Sequence, residues 1–296
     1  MTIADVAAVT SEPEAVKARA PAGAMYRDAL RLWRTRIGLV LVVLLVGVAI
    51  VGPYFAPHGP TDFFGVPPNS PPSSKALFGT DYLGQDVWSR VLYGGASILI
   101  VSLLATALGM VLGIIIGVVA AYWGGWLDET IMRLNDVALA FPQILLVLLV
   151  LTAVDQPAWW MIVLLVGVSH APRVARLARG VALGLVSRDY VTAAEALGES
   201  RLRVILAEVL PNMNAPLLAE AGLRLTYSIG IVAGIGFLGF ATNPNAAEWG
   251  QMIYENRLAL LVQPWGILAP VIIIGVFTIG TNLMADGIAQ LSGRGD

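Results

Sequence analysis

Apolar residues in this chain fall in long blocks, not at the two-residue spacing of a half-buried strand or the one-faced spacing of a surface helix. Six blocks stand out, at roughly 37–56, 96–122, 137–154, 158–176, 217–241 and 266–286. Each approaches or exceeds the about 20 residues a helix needs to cross a bilayer. The pattern predicts an all-α integral membrane protein with six transmembrane helices in one domain over residues 37–290. The third and fourth blocks are short and separated only by Asp155-Gln156-Pro157. Pro142, near the start of the third, is expected to kink it, which a helix packed against protein tolerates.

The flanks are polar. Residues 1–24 carry Ala, Glu, Pro and Val without a period and without the apolar core of a signal peptide; they read as a disordered cytosolic tail, and 291–296 as a short one. Residues 25–36 (MYRDALRLWRTR) alternate apolar and basic side chains. They fit an amphipathic helix on the inner leaflet, or equally a cytosolic extension of the first span.

Composition sharpens the picture. Charged residues are 13% and hydrophobic ones 57% of the 296, whereas a soluble domain is about a quarter charged. The absence of cysteine excludes disulfides and thiolate chemistry. His58 and His170 lie far apart with no ligand cluster around either, which argues against a metal site. No Ser/His/Asp arrangement suggests nucleophilic catalysis, and nothing points to nucleic acid. A GxxxxGK[ST] phosphate loop is lacking, so the chain is not expected to hydrolyse ATP.

Orientation follows from the positive-inside rule. With a cytosolic N-terminus, 14 of the 18 Lys and Arg fall on inner flanks, Lys75, Arg90 and Arg257 on outer ones, and Arg224 within a span. Both termini are then cytosolic, the 57–95 and 242–265 loops external, and 177–216 cytosolic.

That cytosolic stretch holds an unusually polar sequence for its surroundings, DYVTAAEALGESRLRVILAEVLPN at 189–212. Ala193, Ala194, Ala196 and Leu197 favour helix, and Asp189 suits the positive end of its dipole. Gly198 is expected to end the helix. A second begins near Ser200, with Leu202, Ile205, Leu206 and Val209 at helical spacing, and Pro211 is expected to stop it. The segment 187–211 is thus two short helices at a fixed bend, and its small alanine-rich knob can enter a partner's groove.

The run TAAEALG (192–198), with VLP at 209–211, resembles the "EAA" segment of ABC-importer permeases; Thr192 stands where that family usually has Glu. The external stretch FGTDYLGQDVWSRVLYGG (78–95) resembles the GTDxLGRDxxSRxxxG signature of the dipeptide, oligopeptide and nickel permease group, with Gln85 in place of Arg. AYWGGWLDETIMRLNDVALAFP (121–142), GFLGFATNPNAAEWGQMI (236–253) and NLMADGIAQ (282–290) fit the same group, and in length and in lacking a large extra external domain the chain resembles the second of its two permease subunits.

This resemblance implies the type I importer permease fold and a division of labour. Asp189, Tyr190, Thr192, Ala193, Ala194, Glu195, Ala196, Leu197, Gly198, Leu210 and Pro211 would form the coupling segment that docks on an ATPase. ATP and Mg would sit on two ATPase partner subunits, with no cofactor on this chain. A second homologous permease would complete the path, and an external binding protein would deliver solute, in a bacterial or archaeal plasma (inner) membrane. The expected cargo is a di- or oligopeptide; nickel, haem, glutathione or an oligosaccharide derivative are alternatives within the family, and an ion-coupled secondary transporter is the alternative outside it.

Other positions remain open on sequence grounds. Gly109, Gly113 and Gly117 share one helix face, for close packing or to line a path. Glu220 and Arg224, one turn apart in the fifth span, could be a structural pair or a gate. Gly79, Thr80, Asp81, Gly84, Gln85, Asp86 and Arg90 form the external signature loop, either as turn residues or as a surface for the binding protein.

Overall fold

The computed structural model describes residues 30–155, 157–240 and 247–292. Residues 1–29 and 293–296 lie outside the described residues. The expected 1–24 tail, the start of the amphipathic segment, most of the C-terminal tail and residues 241–246 of the 236–253 stretch thus lie outside the described residues.

Among the described residues, eleven α-helices form most of the backbone. Helix α1 (Trp33–Phe55) is followed by a long external loop, then by α2 (Val87–Tyr93) and α3 (Gly95–Trp123). Next come α4 (Gly125–Ala140), α5 (Gln143–Thr152) and α6 (Trp159–Val186). The cytosolic segment holds α7 (Asp189–Ala196) and α8 (Arg201–Val204), and the chain ends with α9 (Asn214–Phe237), α10 (Trp249–Asn256) and α11 (Trp265–Ser292). The described residues contain no β-strand, only one isolated bridge between Thr80 and Asp86. Among the described residues, five helical runs are long and apolar enough to cross a membrane, and the bent pair α4–α5 makes a sixth if it is counted as one span.

Three expectations are corrected. The third span is not one kinked helix: α4 and α5 meet at 75°. Pro142 has no N–H to give the ladder and pushes Phe141 into an extended conformation (φ −90°, ψ 135°), which ends α4. The described part of the 25–36 segment forms no separate helix; Leu30–Leu32 make a turn and Trp33 already starts α1. The fourth span continues ten residues beyond its apolar block to Val186. There Arg176 and Arg179 meet Asp136 and Asp128 of α4 at 2.5 Å, ion pairs that a hydropathy window does not register.

The bundle is built on the α3–α6 pair. Gly109, Gly113 and Gly117 all face α6: a β-carbon on Gly109 would lie 2.8 Å from the Gly167 carbonyl oxygen, and one on Gly113 would lie 2.8 Å from that of Ala171. Gly117 abuts the Ala178 side chain in the same way. The three positions advance in step with α6, so the helices run parallel. Small residues let two backbones approach where there is no hydrophobic gain from leaving lipid. Helix α9 crosses this pair, α11 packs on α9, and α1 packs on α11.

We expect Gly113→Val to wedge α3 from α6 at a cost of about 1–3 kcal/mol, read as a lower thermal midpoint of the purified protein in detergent. Gly184→Ala, where a β-carbon meets nothing within 4 Å, should leave that midpoint in place.

Candidate functional site: the coupling segment and the external knot

The cytosolic segment begins two residues after α6 ends. Helix α7 closes at Leu197, and Gly198 takes φ +83°, where an L side chain is strained. The Gly198 N–H donates to the Glu195 carbonyl (3.0 Å) and the Glu199 N–H to that of Ala194 (3.2 Å). This is the Schellman arrangement of a fixed helix end.

The second half does not stop at Pro211. A π turn over Ile205–Val209 and a 3-10 turn over Leu210–Met213 carry the helix into α9, so one helical run extends from Arg201 to Phe237. The π turn lets the Leu210 N–H reach the Ile205 carbonyl, and the Asn212 side-chain amide donates to the Glu208 carbonyl at 2.6 Å. Wider winding thus absorbs the proline instead of ending the helix. The segment is therefore joined rigidly to α9 and by a short link to α6.

The faces of α7 differ. Val191 is buried and Ala194 packs inward against the same cluster as Val118, Val204 and Met213. Tyr190, Thr192, Ala193, Ala196 and Leu197 are exposed, Leu197 at 85%. Asp189 and Pro211 are exposed too, whereas Leu210 is half-buried against the core. Glu195 is held from within: it accepts a hydrogen bond from the Tyr122 hydroxyl at the cytosolic end of α3. The next residue, Trp123, lies 5.9 Å beneath the Arg201 guanidinium. Neither contact was foreseen from sequence; the signal available was two aromatics closing an apolar span.

The external signature loop folds inward. Arg90 pairs with Asp81 and, at 2.9 Å, with Glu255 of α10. The other Asp81 oxygen accepts the N–H groups of Leu83 (2.9 Å) and Gln85 (2.8 Å). Thr80 donates its hydroxyl to the Pro67 carbonyl at 2.7 Å, and Asp86 caps α2 by accepting the Ser89 N–H at 3.0 Å. Gly79 and Gly84 supply the positive φ values of the turn, +73° and +86°. From the far end of the sequence, the Gln263 amide donates to the Phe78 carbonyl at 2.5 Å and Asn256 accepts the Tyr82 N–H at 3.0 Å. Thr80, Asp81, Gln85, Asp86 and Arg90 are all at most 5% exposed. As a surface for an external protein, these side chains are therefore corrected to an internal knot; the exposed tip is Tyr82 and Leu83.

Glu220 and Arg224 form an ion pair at 2.8 Å, each side chain 9% exposed. The Arg224 guanidinium also sits 4.8 Å over the ring of Tyr227, which is itself 56% exposed. His170 is fully buried at the centre of a chain the sequence did not reveal. Gln143 donates to Ser169 (2.7 Å) and to His170 Nδ1 (3.1 Å), His170 Nε2 reaches Ser228 (2.9 Å), and Ser228 reaches Thr106 (2.8 Å). An amide nitrogen only donates, so Nδ1 accepts, Nε2 carries the proton and the ring is neutral. His58 stacks on Phe64 at 4.2 Å. No group of three or more potential metal ligands occurs among the described residues.

The chain belongs to the family described as the binding-protein-dependent transport system inner membrane component, matched over residues 109–295. Residues 34–72 match the N-terminal transmembrane domain of oligopeptide transport permease C. It is thus a multi-pass permease subunit of an ABC importer, a class that works with ATPase and binding-protein partners.

A putative peptide transport system permease of Brucella suis biovar 1 is 35% identical over 90% of this chain and 89% of its own length. The dipeptide permease DppC of Haemophilus influenzae is 31% identical over 85% of this chain and 87% of its own. The glutathione permease GsiD of Shigella dysenteriae is 33% identical over 91% and 89%. A chain of the MetNI methionine ABC transporter, solved in inward-facing conformations, shares the fold: TM-score 0.52 over 67% of this chain and 96% of that one, at 18% identity. This is the type I importer permease fold.

Breaking the external knot should be costly, because removing one partner leaves the others charged and enclosed. Arg90→Ala is expected to destabilise by about 3–5 kcal/mol, seen as loss of folded protein in a detergent melting assay; Leu83→Ala at the exposed tip should melt as the parent does. On the inner side, Tyr122→Phe and Glu195→Gln should each loosen the coupling segment. Their effects on protease cleavage near Glu199 should be non-additive, as one shared contact requires.

Proposed function

We propose that this chain is one of two different permeases of an importer for di- or oligopeptides in a bacterial or archaeal plasma membrane. The second permease supplies the other half of the path. Two ATPase subunits, holding ATP and Mg, bind from the cytosol, and an external binding protein delivers solute. The single observation that carries this reading is the coupling segment: a Gly198-capped helix with exposed Ala193, Ala196 and Leu197, continuous with α9 and directly after α6.

The mechanics follow. A nucleotide can shift the assembly between two states only by binding one better than the other. ATP binding brings the ATPases together and displaces α7 and α8. Because Arg201–Phe237 is one helical run and α6 is locked to α3 by the glycine seam, the displacement is passed to three spans rather than lost in a loop. The side facing the path opens outward, and hydrolysis resets it.

Peptide cargo is supported by the DppC and Brucella relatives; the GsiD relative gives specific support to glutathione, itself a peptide, as the second reading. An ion-coupled transporter would need a free carboxylate deep in the membrane, and Glu220 is engaged by Arg224.

The test is ATP-driven uptake of a labelled dipeptide into vesicles holding the co-purified complex, with and without an uncoupler. Uptake should need ATP and ignore the uncoupler. Gly198→Val, which costs about 1–2 kcal/mol in the left-handed region, and Ala196→Trp, which fills the docking face, should each lower uptake at least about tenfold while the chain still inserts. Normal uptake by an inserted Ala196→Trp complex would refute docking through this face.

A further inference from the structure

Three arginines follow one another along α6, at 173, 176 and 179. Arg176 and Arg179 are neutralised by Asp136 and Asp128. Arg173 is not: its partner is the neutral Gln143 side chain, whose Oε1 accepts from Nη1 at 2.9 Å. No carboxylate among the described residues pairs with it.

Its side chain is exposed on the surface of this chain beside the α4–α5 bend, and its place along the helix makes the lack of a counter-charge unusual. Trp159 and Trp160 open α6 with half their surfaces exposed, at 51% and 55%, as interfacial tryptophans do. Counted with the inner flank on sequence grounds, Arg173 lies about 21 Å along the axis from Trp159 at 1.5 Å per residue, just inside the inner edge of an apolar layer about 30 Å thick. An arginine that close to the inner face would ordinarily reach back to the cytosolic headgroups. This one is held by an amide that also donates to Ser169 and His170, one turn earlier on α6.

The network fixes that choice. Arg173 accepts nothing, so Gln143 must turn its oxygen to Arg173 and its nitrogen to His170 and Ser169. The bend at Phe141-Pro142 places Gln143 there as the first residue of α5. Beside it is a cavity of about 270 Å³, walled by Ala138, Phe141, Leu146, Val150, Leu165 and Val168, with Gln143, Ser169 and Arg173 as its polar lining. That is below the about 300 Å³ of the smallest ordinary ligand pockets, room for a side chain rather than a whole solute. Nearby, Arg224 already has Glu220, so the site keeps an excess positive charge. An intramembrane charge is stable only against a counter-charge or water.

We propose that Arg173 is a carboxylate-binding position on the translocation path, taking the carboxylate end of the transported solute as it passes the α4–α5 bend, with an adjacent side chain in the apolar cavity. This assignment rests on the importer reading above and adds to it a residue and a ligand chemistry. The one other source of a carboxylate at this place is the partner permease.

The experiment uses the complete importer with its binding protein in proteoliposomes. Arg173→Gln should raise KM for labelled Ala-Ala by about tenfold or more, and Arg173→Lys should recover most of it. Because the chain has no cysteine, Arg173→Cys gives it a unique thiol. That thiol should react with water-soluble methanethiosulfonates in the assembled complex. The aminoethyl reagent, which restores a positive charge, should rescue uptake; the sulfonatoethyl reagent should not.

An unchanged KM in Arg173→Gln overturns the proposal. So does a thiol that stays unreactive in the complex, or loss of the co-purifying partner permease from Arg173→Gln, which would assign the carboxylate to that partner. If the parent complex takes up no Ala-Ala, the peptide reading fails by itself, and thiol reactivity with charge-selective rescue of whatever solute it carries still decides the site.

Discussion

The close approach of α3 and α6 is the constraint on which the rest of the structure depends. Leaving lipid gives two apolar helices no hydrophobic gain, so van der Waals contact must hold them, and contact is best where backbones nearly touch. Gly109, Gly113 and Gly117 remove the side chains that would intervene. The seam makes two spans one stiff body with the cytosolic segment hung from its lower end. Without it, a push on α7 would bend α6 alone.

Polar groups inside the apolar layer are organised by the same economy of partners. A buried donor or acceptor without a mate is costly where no water can serve. The chain from Gln143 through His170 and Ser228 to Thr106 ties α5, α6, α9 and α3 together. On the external side the Asp81–Arg90–Glu255 cluster does the same for the signature loop and α10. In both places the directionality of hydrogen bonds sets the register of helices that apolar contact alone would leave free to slide. Arg173 stands apart because its partner among the described residues is the neutral Gln143 side chain.

Part of the candidate site was legible in the residues. Alanines and leucine followed by Gly198 encode a helix with a fixed end whatever surrounds it, because the left-handed conformation is a property of one residue. Glycines four apart encode a packing face for the same local reason. Pro211 was misleading: a proline ends a helix unless the winding before it can widen, and Ile205–Val209 widens. The signature loop misled differently, since Asp and Arg in a Gly-rich external stretch look like surface until Glu255, Asn256 and Gln263 close over them.

By itself the sequence determined that this is a helical membrane protein, which way it lies in the bilayer and where its cytosolic knob sits. Those features follow from block length, Lys and Arg placement and single-residue backbone preferences, all local quantities. Only the tertiary structure decided that the third span is two helices at 75°, that Glu195 turns back to Tyr122, that the signature loop is enclosed, and that Arg173, unlike Arg176 and Arg179, meets no carboxylate among the described residues. Each of those turns on which groups meet across the bundle, and pairing between distant residues is set by packing that no local pattern records.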